Sequence, residues 1–97
     1  MNIEISPKEY EKWLNWHDAM MYCQLLAIDD KMDWRLPTKE ELDYIYNSEN
    51  DFVGSFYWSS TEFNGGLAYG QGMSPGSQVY NFFKNGSYCV RAVRSII

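Results

Sequence analysis

Apolar positions along the chain recur with two periods, strand-like towards both ends and helical in two segments between about residues 15 and 47. At the start, Ile3 and Ile5 alternate with Asn2, Glu4 and Ser6, the pattern of a short strand with one buried face. Ser6-Pro7-Lys8-Glu9 has the chemistry of a capped helical turn, with proline at its first position. Tyr10, Trp13 and Leu14 would then form its apolar face, although 10–14 also reads as extended. From Asn15 the period becomes helical. Ala19, Met20, Cys23, Leu26 and Ala27 form one stripe, with Trp16 and Tyr22 at its flanks. Asn15 suits the N-cap, and Asp18 places a carboxylate at the positive end of the helix dipole. The pattern predicts a helix to about Ile28, followed by a polar turn through Asp29, Asp30, Lys31 and Asp33.

Trp34-Arg35-Leu36-Pro37-Thr38 then leads into a second helix. Pro37 has no amide hydrogen and pushes Leu36 into extended geometry. In an extended lead-in, Trp34 and Leu36 share one face, which can enter a core, while Arg35 faces the other way, towards a carboxylate such as Glu41. Thr38-Lys39-Glu40-Glu41 is a capping box. Leu42, Ile45 and Tyr46 recur at helical spacing, and the polar run from Ser48 ends the helix at Asn47-Ser48.

Downstream the pattern turns to strands. Phe56 to Thr61 reads as a strand whose hydroxyl residues Ser59, Ser60 and Thr61 are suited to satisfying buried backbone groups or a buried arginine. Residues 62–78 hold five of the seven glycines and predict loops, with a short strand at Leu67-Ala68-Tyr69. Val79 to Lys84 is a further strand, and Asn85-Gly86 is a two-residue hairpin signal. Ser87 to Val93 would return from it, with Tyr88, Val90 and Ala92 on one face and Cys89, Arg91 and Val93 on the other. Tyr80, Phe82 and Phe83 read as core.

Ninety-seven residues suffice for one domain, 1–97, and 18% aromatic content supplies the large side chains that so small a core needs. The net charge of −5 is uneven: residues 1–51 carry −7 and residues 52–97 carry +2. The acidic half argues against direct nucleic-acid binding, which needs lysine and arginine to neutralise phosphate. It leaves room for a basic protein partner. No apolar run approaches a membrane span, and the polar start of the chain lacks a signal-peptide pattern, so a cytoplasmic location with Cys23 and Cys89 as free thiols is expected.

Four motifs in this order carry a resemblance. They are Trp16, Asp18, Ala19, Tyr22, Cys23 and Leu25 or Leu26; then Trp34-Arg35-Leu36-Pro37-Thr38 with Glu41-Leu42; then Tyr57-Trp58-Ser59-Ser60-Thr61; then Val90-Arg91-Ala92-Val93-Arg94. Over residues 13–94 the chain resembles the DUF1566 family, which includes the C-terminal domain of the Legionella collagen-like adhesin. The resemblance implies an α+β, C-type-lectin-like fold, similar also to formylglycine-generating enzymes. Two helices would pack on a twisted antiparallel sheet with paired terminal strands and irregular Gly-rich loops. The family usually has cysteine within the last motif, where this chain has Ala92. A Cys23–Cys89 bridge would echo the helix-to-last-strand disulfide of C-type lectins.

The residues offer little chemistry. Enzyme relatives use a cysteine pair near the C-terminal end, where this chain has Cys89 alone. His17 is the only histidine; it lies six residues from Cys23 and on another helix face, so the two do not form a nucleophile–base pair. Asp29, Asp30 and Asp33 lack calcium-loop spacing. No enzyme activity, cofactor or metal is therefore expected. Phe63, Asn64, Tyr69, Gln71, Met73 and Gln78 lie in the Gly-rich stretch and are the candidate partner-binding residues, with cores of short strands as the competing role for the aromatic ones. Trp34, Arg35, Leu36, Pro37, Thr38, Trp58, Ser59, Ser60, Thr61, Arg91 and Arg94 are structural, with Arg91 and Arg94 pairing with carboxylates or with the carbonyls of Ser59-Ser60-Thr61. The expectation is a binding module for a protein partner, of the kind a phage or small bacterial gene would encode as an inhibitor, adaptor or virion component. A glycan- or glycosaminoglycan-binding adhesin domain and an oligomerisation module are the alternatives.

Overall fold

The computed structural model describes residues 2–48, 52, 56–73 and 79–96, with the backbone alone at Val79 and Tyr80. The order of elements is β1 (Ile3–Ile5), a 3₁₀ turn (Lys8–Tyr10), β2 (Lys12–Leu14), α1 (Trp16–Leu25), α2 (Lys39–Ser48), β3 (Phe56–Glu62), β4 (Leu67–Gly72), β5 (Val79–Phe83), β6 (Tyr88–Val90) and β7 (Val93–Ser95). The fold is α+β. One sheet has the order β2-β6-β3-β4-β5, and β1 and β7 form a second, antiparallel pair near the two ends of the chain. The larger sheet is mixed rather than antiparallel, because β3 and β6 run parallel at Tyr57 and Cys89.

The two helices bury two separate cores. On β3, Tyr57 and Trp58 point to opposite faces. Trp58 joins Trp16, Ala19 and Cys23 of α1, together with Leu26, Ile28, Trp34, Leu36, Ala68, Val90 and Ala92. Tyr57 joins Leu42 and Ile45 of α2, together with Phe52, Cys89 and Val93. The alternation read along residues 88–93 therefore sorts these side chains between the two cores, even though the segment is not one strand. It breaks after Val90, and β7 leaves to pair with β1.

The lead-in to α2 links the sheets. Trp34 and Leu36 are 3% and 1% exposed, while Arg35 turns away and its backbone exchanges two 2.8 Å hydrogen bonds with Val93. The capping box forms as its sequence predicts: the Glu41 amide donates to Thr38 Oγ1 and the Thr38 amide to Glu41 Oε1. Glu41 also takes both terminal nitrogens of Arg35, at 2.6 and 2.8 Å. The Lys39 amide donates to Thr61 Oγ1 at 3.1 Å, so a strand hydroxyl caps the same helix end from outside.

Several expectations need correction. The first helix stops at Leu25, three residues early, and Ala27 is exposed. Leu26 extended the stripe only because it is buried just past the helix end. Ile28 and Lys31 instead bridge across a tight turn in which Asp29 and Asp30 have φ of 52° and 66°. Residues 10–14 divide into the end of a 3₁₀ turn and the edge strand β2. Asn85-Gly86 makes a turn, with the Gly86 amide on the Phe83 carbonyl, but no hairpin. β5 pairs with β4, whereas β6 lies between β2 and β3. A two-residue turn signal reports local backbone preference and does not choose which strand the chain joins next.

The glycine-rich stretch carries more strand than its composition predicts. β4 continues to Gly72. At Gly70 a Cβ would come within 2.7 Å of the Phe82 ring and 2.9 Å of the Tyr57 carbonyl, so this glycine serves close packing rather than a turn.

Candidate functional site

The exposed face at the β3–β4–β5 end gathers most of the large unburied aromatic surface of the later half of the chain. The turn after β3 is built by Asn64, whose Oδ1 accepts from the amides of Gly66 and Leu67, both at 2.9 Å. The amides of Phe63 and Asn64 both donate to the Leu67 carbonyl. This closed turn presents Phe63, 51% exposed, edge-on to the Tyr69 ring at 5.7 Å. Lys39, from the start of α2, places Nζ 4.2 Å from the centre of that ring. Across the sheet Leu67 faces Phe83, and Tyr69 faces Asn81. Phe83 is 72% exposed, which corrects its expected place in the core. Phe82 does turn inward, against the α1 core. The side chain of Tyr80 lies outside the described part.

The six candidate binding residues do not form one set. Phe63 and Tyr69 meet directly, and Asn64 holds the turn that carries Phe63. Gln71 is only 2% exposed, and its Nε2 donates to the Gly72 carbonyl. Met73 packs against the α2 core. Gln78 lies outside the described residues. Leu67, Phe83 and Lys39 join the patch unforeseen. Alternation along 67–69 and 79–83 would have aligned Leu67 and Tyr69 with Phe83, given the register, but Lys39 arrives from a helix 28 or more residues earlier and leaves no local trace.

Beside Phe83 a groove of about 450 Å³ runs to the start of α1, where Asn15, His17 and Asp18 form its other wall. Its floor includes Lys84, which is buried. Lys84 Nζ reaches Glu62 at 2.7 Å and the Gly65 carbonyl at 3.2 Å, and sits 4.4 Å over the Trp16 ring. That ammonium is satisfied within the protein. His17 is exposed, with its ring edge-on to Trp16.

The motif residues hold the frame. The hydroxyls after Trp58 serve backbone groups: Ser59 Oγ donates to the Tyr69 carbonyl at 2.7 Å, and Ser60 Oγ donates to the Pro37 carbonyl at 3.4 Å, beside the Ser60 amide's own 2.8 Å bond to it. Arg91, 4% exposed, donates through Nε to the Ser6 carbonyl and through Nη1 to Glu11 Oε2, over the Phe52 ring. Glu11 also accepts from the Tyr57 hydroxyl at 2.9 Å. Arg94 pairs with Asp33 and Glu4, and Glu4 also accepts from Lys31. These cations hold both the Glu4 and Asp33 carboxyls below their ordinary range, Arg94 foremost. Both arginines thus pair with internal carboxylates.

Both cysteines are free and buried, in different cores. Burial pushes the Cys23 thiol up to about 12. Burial, helped by the Glu11 charge, pushes Cys89 up to about 11. Among the described residues no group of three or more histidine, cysteine, aspartate or glutamate side chains could hold a metal ion, and no helix is long and apolar enough to cross a membrane.

A small α+β frame pinned by internal ion pairs presents aromatic side chains on a sheet face and a closed turn. The chain belongs to the Lcl C-terminal domain family, whose model matches residues 4–94. No curated protein matches it.

Proposed function

We propose that this domain is a non-catalytic binding module that engages a protein partner through Phe63, Leu67, Tyr69 and Phe83, with Lys39 supplying charge at the rim. The carrying observation is the pair of exposed rings, Phe63 at 51% and Phe83 at 72%, held on a closed turn and a sheet strand. Exposed aromatic side chains on a preorganised frame give large contact area at small entropic cost. Membership of a family that includes an adhesin's C-terminal domain supports binding as the task. The non-catalytic part rests on two buried thiols raised far above neutrality, each in a core that excludes the exposed His17. Free thiols suit a reducing compartment such as the cytoplasm.

The test is capture with the wild type and with a Phe63→Ser/Phe83→Ser double variant, followed by titration of the captured protein in purified form. A partner held by the wild type and lost by a folded double variant supports the reading. Equal retention by both removes the patch from it. A second reading is glycan binding, favoured by the Lys39–Tyr69 pair, since a ring beside an ammonium suits an acidic sugar. Heparin retention that falls with salt and with Lys39→Gln would favour that reading.

A further inference from the structure

We propose that β5 is a self-pairing edge through which two copies of this chain join antiparallel about Asn81, extending both sheets into one. This does not depend on the binding role above. Among the described residues β5 ends the five-stranded sheet, with β4 as its one neighbour. The ladder fixes which backbone groups face outward. The Lys84 amide donates to the Gly66 carbonyl at 3.0 Å, one step past the Phe83–Leu67 pair, so Phe83–Leu67 is a non-hydrogen-bonded pair. By alternation Phe82 and Tyr80 bond to β4, while the backbone groups of Val79, Asn81 and Phe83 point away from it. The Leu67 and Tyr69 carbonyls agree with this register, because both are taken from the β3 side, by Phe63 and by Ser59. The Phe83 carbonyl is taken by the Gly86 amide, leaving Asn81 central among the outward groups.

The occupant follows from symmetry and charge. Asn81 is the midpoint of the five-residue strand, so a two-fold axis there sets Asn81 against itself and Val79 against Phe83 of the second copy. The hydrogen-bonded pair at the centre is the one whose residues exchange both bonds. β5 carries no charge, so antiparallel self-pairing sets no like charges opposite one another. Natural edges are usually blunted by charge, proline or brevity. The other sheet edge, β2, has only three residues, one of them Lys12, and follows Glu11. The five residues of β5 include neither a charge nor a proline.

Five strand residues span about 17 Å, and pairing over that length falls below the roughly 1,000 Å² of stable interfaces, so the dimer is weak and reversible. Sedimentation velocity over a concentration series tests it. The weight-average mass should rise from monomer towards dimer, and Asn81→Pro should weaken dimerisation about tenfold or more, by removing an outward amide that bonds nothing in its own sheet. A wild type that stays monomeric to about millimolar concentration overturns the proposal, as does a folded Asn81→Pro that dimerises equally well. Should that variant not fold, cysteine crosslinking decides. Under mild oxidation Asn81→Cys should form a disulfide dimer, whereas Phe83→Cys, out of register with itself, should not. Equal crosslinking at both positions overturns the register.

Discussion

Replacing Glu41 by glutamine removes one charge from a nearly buried position and leaves its shape unchanged. In the native protein Glu41 accepts three hydrogen bonds: two from Arg35, at 2.6 and 2.8 Å, and one from the Thr38 amide at 2.8 Å. Glutamine keeps one acceptor oxygen and turns an amide nitrogen towards a guanidinium. Bonds to charged groups contribute about 1.5–3 kcal/mol each when well buried. The Arg35 side chain is 36% exposed, and solvent screening reduces its share. The expected cost is therefore about 2 kcal/mol, or a fall in midpoint of about 8–16 °C. The charge also gives the loss a pH signature. Arg35, with the Thr38 amide second among the favourable contacts, holds the Glu41 carboxyl below its ordinary 4.5. Between the folded value and 4.5 the unfolded chain binds more protons, so this contribution is complete above about 4.5 and is lost as pH falls through the folded value. Glutamine does not titrate. Urea unfolding of both proteins should show the full gap at about pH 7 and a narrower one at about pH 3. Glu4 and Asp33 titrate in the same direction but are common to both proteins and cancel in the difference. A gap of the same size at both pH values, or none at neutral pH, would refute the assignment of Arg35–Glu41 as a charge-dependent clamp on the second helix.

Three further outcomes follow from single observations. Asp30→Gly should raise stability by about 0.5–1 kcal/mol in urea unfolding, since φ of 66° strains any residue with a Cβ and glycine relieves it. Gly70→Ala should destabilise by about 1–3 kcal/mol, measured in the same way, because the new methyl meets the Phe82 ring and the Tyr57 carbonyl. Cys23 and Cys89 should react with a disulfide reagent at pH 8 only as fast as the protein opens, and should both react at once in denaturant, because both are buried and burial pushes their thiols up to about 12 and about 11.

What could be read from the chain alone was whatever depends on near neighbours. The capping box of Thr38 and Glu41 works through groups three residues apart, and the proline-imposed extension sorts Trp34 and Leu36 from Arg35 within the same few residues. The alternation at Tyr88–Val93 likewise follows from the backbone, whichever strand it joins. The tertiary structure decided everything that depends on which segments meet. Asn85-Gly86 turns the chain, but whether β6 returns beside β5 or crosses to β3 depends on the cost of burying Val90 and Cys89 in two different cores. Phe83 reads as core because its neighbours are aromatic, yet it is exposed because the alternation that buries Phe82 turns it to a face where α2 packs over β3 and β4. Thr61 capping the second helix, Lys39 beside Tyr69 and Glu11 against Arg91 join residues 22, 30 and 80 positions apart. Such pairings leave no periodic mark in a sequence, because they arise only when the packing of two hydrophobic faces has fixed where the polar rims must lie.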